Sequence, residues 1–181
     1  MTPANPRLPL ISPIQFQNAH HTRPAADWIR AVYPLYLQDL TRYEPRLYTL
    51  DARGQWQPDY LYWWLDERNG LPLVVECQGR RAGFVLLNTT PLYRNLRAEL
   101  KFSEFFIANE FRRNGLGSAV VARLAEIYGG VWEVEAIGAN LPAVRFWQGF
   151  IEKRGSLLEQ TESEAHFNWV FEIISTPSLR A

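Results

Sequence analysis

Between positions 107 and 118 the chain reads Ile-Ala-Asn-Glu-Phe-Arg-Arg-Asn-Gly-Leu-Gly-Ser. Arg112 to Gly117 form an R-x-x-G-x-G string, with a strand pattern before it and a helix pattern after it. A helix N-terminus carries unpaired backbone N–H groups and a partial positive charge. Glycines in its first turn, here Gly115 and Gly117, let those N–H groups touch phosphate oxygens. Arg112 and Arg113 add charge and a donor fork suited to phosphate. Arg113, Asn114, Gly115, Leu116, Gly117 and Ser118 thus make a candidate pyrophosphate turn. The same residues also suit an ordinary strand-to-helix turn, so the surrounding elements decide between the readings.

Those elements can be read from periodicity and punctuation. Met1 to Pro13 holds four prolines and reads as an extended arm. Ile14 to Asn18 alternates as a strand does. Pro24 opens a helix with Trp28, Ile29, Val32, Tyr33, Tyr36, Leu37 and Leu40 on one face. Pro34 interrupts it, which predicts a kink or two consecutive short helices. Tyr43 to Pro58 is loop-like. A second helix starts at Pro58-Asp59, carries Leu61, Trp64 and Leu65, and ends at Asn69-Gly70.

Leu73 to Gln78 and Ala82 to Asn88 form a hairpin turned near Gly79-Arg80-Arg81. Pro91 to Arg97 is a loop. Ala98 to Ile107 is the fourth strand, and the glycine turn follows it directly. Leu116, Val120, Val121, Leu124 and Ile127 give an amphipathic helix stopped by Gly129-Gly130. Val131 to Ile137 is the fifth strand. Asn140 caps a further helix, with Pro142 in its first turn and Gly149 at its end. Ile151 to Leu158 and His166 to Ile174 close the sequence as a strand pair. The order is β-α-α-β-β-β-α-β-α-β-β. It predicts an α/β protein with a mixed sheet, parallel at its centre. The expected organisation is one domain over residues 14–175, the arm before it, and a tail over 176–181.

Composition narrows the function. The 181 residues balance 19 Lys+Arg against 19 Asp+Glu. That balance argues against a nucleic-acid or membrane surface as the main partner. The lone cysteine, Cys77, excludes internal disulfides and fits a reducing cytoplasm. On its strand it reads as a buried small apolar residue. No stretch approaches the ~20 apolar residues that span a bilayer. His20, His21 and His166 lack partners at metal spacing, so no metal is expected. Trp28, Tyr36, Tyr43, Trp56, Tyr60, Trp63 and Trp64 suit core packing by their spacing, and some can line a pocket.

With the glycine turn placed between strand and helix, the chain resembles the GNAT acyltransferase superfamily from Ile14 to Ile174. A second stretch, Asn140-Leu-Pro-Ala143-Val-Arg-Phe146-Trp147-Gln-Gly149-Phe150, is similar to that family's later N-x-x-A-x-x-x-Y-x-x-x-G-F segment. Here the gap before Gly-Phe is shorter, and Trp147 stands where the family usually has tyrosine. Glu104 to Ile107 and Gly130 to Val134 also resemble a subgroup of acetyltransferases with no firm substrate.

The resemblance implies acetyl-CoA as co-substrate, its pyrophosphate on the N–H groups of 113–118. It implies a pantetheine arm paired with the backbone of Phe105, Phe106 and Ile107. The fourth and fifth strands would splay apart around the thioester, with Asn140 and Trp147 flanking the thiol end. Direct transfer needs a neutral amine, and a carboxylate in a partly desolvated cleft can accept its proton. Glu104 is the first candidate base. Glu135 is the second, and Glu133 shares its strand face, acting with it or simply solvated. A tryptophan cannot protonate a leaving thiolate as tyrosine can. The expected acceptor is an amine of a small molecule or peptide, and edge strands near the C-terminus allow a homodimer. The rivals are a non-catalytic acyl-CoA-binding module and an unrelated nucleotide binder, though no Walker lysine follows the glycines.

Overall fold

The computed structural model of the protein describes residues 14–89, 95 and 97–173. The expected arm over 1–13, the tail over 176–181 and most of the loop before Arg97 lie outside them. Seven strands form one sheet in the order β1-β4-β5-β6-β7-β9-β8. They are β1 (Gln15–Asn18), β4 (Leu71–Cys77), β5 (Arg80–Asn88), β6 (Leu100–Ile107), β7 (Val131–Ile137), β8 (Gly155–Glu162) and β9 (His166–Ile173). A separate two-stranded ribbon pairs β2 (Thr49–Leu50) with β3 (Trp56–Gln57) inside the segment expected to be loop.

The hairpin between β4 and β5 turns at Gln78 and Gly79, both at positive φ (55° and 69°), the backbone that tight hairpins require. Every adjacent pair in the large sheet is antiparallel except β6 with β7. That parallel pair is joined by α3 (Leu116–Tyr128), as a parallel connection demands.

Apolar side chains fill both faces of the sheet. On one face α3 and α4 (Leu141–Arg154) cover Val85, Leu87, Phe102, Trp132 and Phe171. On the other, α1 (Arg23–Thr41) and the single turn α2 (Leu61–Trp64) cover Val74, Phe84, Leu86 and Phe106. Burial on both sides explains why β5 reads as an unbroken apolar run from Ala82 to Leu87.

Three local expectations are corrected. The helix opened by Pro24 does not split at Pro34; α1 is one element of 19 residues. Pro34 is exposed, so water can serve the carbonyl it leaves unbonded, while Ile29, Tyr33, Tyr36 and Leu37 hold both halves on the sheet. Gly149 does not end α4, which continues to Arg154. Trp147, Phe150 and Ile151 are buried around that glycine, and their packing outweighs its poor helix propensity. The strand expected from Ile151 therefore begins at Gly155. Cys77 is half-buried at the end of β4 rather than enclosed.

Two features of β6 build the site. Its ladder to β7 covers only Leu100–Trp132, Lys101–Glu133 and Phe102–Val134. Beyond Phe102 the two strands part, and the β7-facing edge of residues 103–107 has no ladder partner. At the same point β6 carries a bulge against β5: Phe102 faces Leu87 and Glu104 faces Leu86, so Ser103 is extra. One extra residue reverses which face each following side chain meets. Leu100 and Phe102 join the α3/α4 core, whereas Phe106 joins the α1/α2 core.

Candidate active site

The gap between β6 and β7 opens into a cleft of about 1060 Å³. Its walls run from the glycine turn, past the splayed strands, to the end of α1 and the aromatic segment around Trp63. Glu104 lies midway, on the face that the bulge gives it.

Glu104 is 8% exposed. Its Oε1 accepts from Tyr33 Oη at 2.9 Å and from Trp64 Nε1 at 3.2 Å. Its Oε2 is enclosed and has no hydrogen-bond partner. Burial pushes the carboxyl up to about 8, against the two hydrogen bonds that favour ionisation, and the Asp59 charge adds to the rise. A buried carboxyl with a vacant oxygen and a raised affinity for protons can accept one near neutral pH.

Glu135 stands differently. It is exposed on β7 and is bridged to Lys101 at 3.3 Å, with His166 Nε2 at 3.9 Å. Glu133 is buried, not solvated. It accepts from the Asn95 backbone N–H, from Asn168 Nδ2 at 2.7 Å and from Lys101 at 3.1 Å. Burial opposes its ionisation, but those donors outweigh it and hold the carboxyl below the usual range. It is a fixed charge that ties Asn95 and Asn168 to β7.

At the other end, α3 begins at Leu116 with Gly115 as its left-handed cap residue (φ 78°). No side chain caps the first N–H groups, and no acidic residue lies in the first turn. A methyl group at Gly117 would stand 3.2 Å from the Phe146 ring and 3.8 Å from Phe105. Arg113, also at positive φ (65°), and Arg145 on α4 line this end and make no ion pair among the described residues. Gly117 and Ser118 line the cleft; Asn114 is exposed outside it and Leu116 is buried under it. An uncapped helix start with two unengaged guanidiniums can bind a polyanion.

Arg112 is engaged elsewhere. Its Nε donates to the Ile107 carbonyl at 2.6 Å and its Nη2 pairs with Asp39 at 2.8 Å. The guanidinium also covers the Phe106 ring at 5.4 Å. It ties the turn to α1 and occupies one carbonyl of the open β6 edge. Phe105 leans on Phe146 and Trp147, and Phe106 stacks on Phe84 at 5.4 Å.

Asn140 caps α4, accepting from the Ala143 N–H at 3.2 Å. Trp147 is 4% exposed, packed against Phe146 and Phe102. Its indole N–H donates to no protein atom among the described residues, and the side chain lines the cleft. Of the seven early aromatics, Tyr36, Trp63 and Trp64 serve core and cavity together, Tyr43 and Tyr60 line the cleft alone, and Trp28 and Trp56 pack on the core. Trp64 turns inward to Glu104 while Trp63 packs edge-on to it at 4.7 Å.

Tyr33, Lys101, Tyr48 and Arg145 were not legible as site residues. Tyr33 lies 71 positions from its partner, and only its helical spacing on the buried face hinted at it. Among the described residues no cluster of three His, Cys, Asp or Glu side chains is placed to hold a metal. No helix among them is long and apolar enough to cross a membrane.

Comparison with known proteins accords with this geometry. The model of the acetyltransferase (GNAT) family matches residues 29–150, well over half of the chain, and the protein belongs to that family. The structure is similar to a GNAT-family acetyltransferase from Streptococcus agalactiae, with a TM-score of 0.59 at 15% identity, covering 90% of this chain and 96% of that one. It is similar to an acetyltransferase from Salmonella typhimurium solved with its cofactor acetyl-CoA (TM-score 0.54, 12% identity, 94% of this chain and 99% of that one). A spermidine N-acetyltransferase chimera involving Vibrio cholerae gives a TM-score of 0.54 at 13% identity, covering 90% and 96%. At these identities the likeness concerns the fold. No curated protein matches the chain significantly.

Proposed function

We propose that the protein is an acetyl-CoA-dependent N-acetyltransferase that passes the acetyl group directly to an amine. The observation that carries the reading is the polarity of the cleft. Its glycine-turn end offers uncapped N–H groups with Arg113 and Arg145, and its middle holds the Glu104 carboxyl, whose Oε2 has no hydrogen-bond partner among the described residues. A polyanionic carrier fits the first and an amine fits the second.

Acetyl-CoA supplies an acetyl group activated as a thioester, and the chain's residues do the rest. The first turn of α3 holds the pyrophosphate, helped by Arg113. The missing side chain at Gly117 lets this turn sit close against Phe146 with its backbone uncovered. The unpaired edge of β6 at Phe105 and Phe106 supports strand-like pairing with the pantetheine amides. Asn140 and Trp147 border the thiol end, where the indole N–H can steady a departing thiolate.

The Glu104 carboxyl takes a proton of the incoming amine, while Tyr33 and Trp64 hold Oε1 and fix the carboxyl plane. Glu135 is the weaker candidate base, because Lys101 already neutralises it. Direct attack fits because Cys77, the chain's only cysteine, is not in the cleft wall, so no thiol is present there to carry the acetyl group.

One observation favours a second reading, a non-catalytic acyl-CoA-binding module. The buried Trp147 cannot deliver a proton as a tyrosine can. Calorimetric titration with acetyl-CoA, CoA and ATP, followed by an assay for amine-dependent release of CoA thiol, separates the two. Binding of the CoA species over ATP with turnover supports the enzyme. Binding without turnover on any amine supports the module, and equal binding of ATP removes both.

A further inference from the structure

The half of the cleft away from the glycine turn is walled by Tyr36, Tyr43, Tyr48, Tyr60, Tyr62 and Trp63. Aromatic faces pack flat apolar bodies well and attract a nearby cation. The charges in this half are already matched to one another. Asp39 holds Arg42 at 3.2 Å and Arg112 at 2.8 Å. Lys101 holds Glu133 at 3.1 Å and Glu135 at 3.3 Å. Glu104 is the exception: Tyr33 and Trp64 occupy Oε1, and Oε2 has no partner. One carboxyl therefore remains without a cationic partner, and it can serve one ammonium.

We propose that the acceptor is a primary monoamine with a flat aromatic body and no second charge, its nitrogen beside the Glu104 carboxyl that lines the cleft and its ring among these tyrosines and Trp63. The inference rests on the N-acetyltransferase reading and narrows its substrate class. A second ammonium, as in a polyamine, would be desolvated beside carboxylates that already serve arginine or lysine, an uncompensated cost. A carboxylate on the acceptor would meet cations that are likewise engaged. An aliphatic chain of equal length would lack the stacking. In the transfer, the N–C bond to the acetyl carbon forms as the C–S bond breaks. Sulfur leaves with the electron pair; of the two protons that the ammonium sheds on becoming an amide, one passes to Glu104 and the other to the departing thiolate.

The test is steady-state kinetics with acetyl-CoA and, separately, 2-phenylethylamine, tryptamine, hexylamine, spermidine and a lysine-containing peptide. The expected result is a kcat/KM for the two aryl amines at least tenfold above the other three. Tyr60→Ala and Trp63→Ala are each expected to raise KM for 2-phenylethylamine fivefold or more. Acetyl-CoA affinity, read by calorimetry, reports whether each variant is folded; Tyr60 is half exposed, so that variant tests the wall without a core defect. Equal or better use of spermidine, hexylamine or the peptide overturns the inference and leaves acetyl transfer standing. Acetyl-CoA binding with no turnover on any amine overturns the inference and the N-acetyltransferase reading together.

Discussion

Tyr33 and Glu104 meet across the sheet face, hydroxyl to Oε1 at 2.9 Å, although 71 positions separate them. The tyrosine sits on α1 and the glutamate on the stretch of β6 beyond its bulge. Burial and the Glu104 carboxylate hold the phenol well above its ordinary range, so it remains a donor at any working pH. Its bond favours the ionised carboxyl and restrains the rise that burial imposes.

Tyr33→Phe should therefore raise the Glu104 value further. With an acceptor whose own pKa lies below 7, kcat/KM of the natural chain should climb with pH and level off above about 8. In Tyr33→Phe the plateau should move to higher pH. In Glu104→Gln the climb should vanish and the rate should fall by about 10²-fold or more, the usual scale for a positioned base. An unchanged profile in Glu104→Gln removes that residue from proton transfer.

The same carboxyl makes stability depend on pH. Its folded value lies above the unfolded one, so the folded state keeps a proton that the unfolded chain releases. The associated stability is full below the unfolded value near 4.5 and is lost as pH rises to about 8. Thermal unfolding should show Tm falling across that window. Glu104→Gln should flatten the fall, and an identical slope in both proteins would contradict the burial argument.

Gly117→Ala tests the turn itself. Alanine gains helix propensity of up to about 1 kcal/mol over glycine. Its methyl group must crowd the Phe146 ring at 3.2 Å. We expect Tm to move little and acetyl-CoA affinity to drop tenfold or more. Unaltered affinity in a folded variant would reduce the segment to an ordinary strand-to-helix connection.

Asp39→Asn frees the Arg112 guanidinium from its carboxylate partner. Exposed pairs of this kind contribute about 0–1 kcal/mol. Stability should thus barely change, while acetyl-CoA should bind up to roughly fivefold tighter at low salt, a gain that fades as ionic strength rises. Titrations at two salt concentrations read both effects.

Gly149→Ala should stabilise the protein by about 0.5–1 kcal/mol. The residue is inside α4, and a methyl group there would meet nothing within 4 Å. Denaturant midpoints of the two proteins decide the point; a lower midpoint in the variant contradicts the packing described for this helix.

The succession of the main strands and helices along the chain and the glycine turn were legible because their signals are local. Gly115 caps a helix where the R-x-x-G-x-G string placed one, and Asn140 caps another within three residues of its partner. Pro34 and Gly149 misled for the opposite reason: each is a local breaker inside a segment held by long-range packing. The partners of Glu104 and Arg112 come from α1 and α2, and no spacing along the chain encodes such meetings. Charge pairing across the cleft was invisible for the same cause, since Lys101 finds Glu133 and Glu135 only through the parallel register of β6 and β7.

The extra residue at Ser103 makes β6 two wave trains spliced half a wavelength out of step. Every second residue from Leu100 to Phe106 is buried, so a substitution scan along the strand would record one unbroken rhythm. The chamber behind each beat changes at the splice: earlier positions report on the helices flanking the glycine turn, later ones on the helix that carries Tyr33. Removing Ser103 would leave Glu104 opposite Leu86 in the same chamber, and the step between the buried Phe102 and the buried carboxylate would shrink from two residues to one, so the rhythm and not the chamber would change.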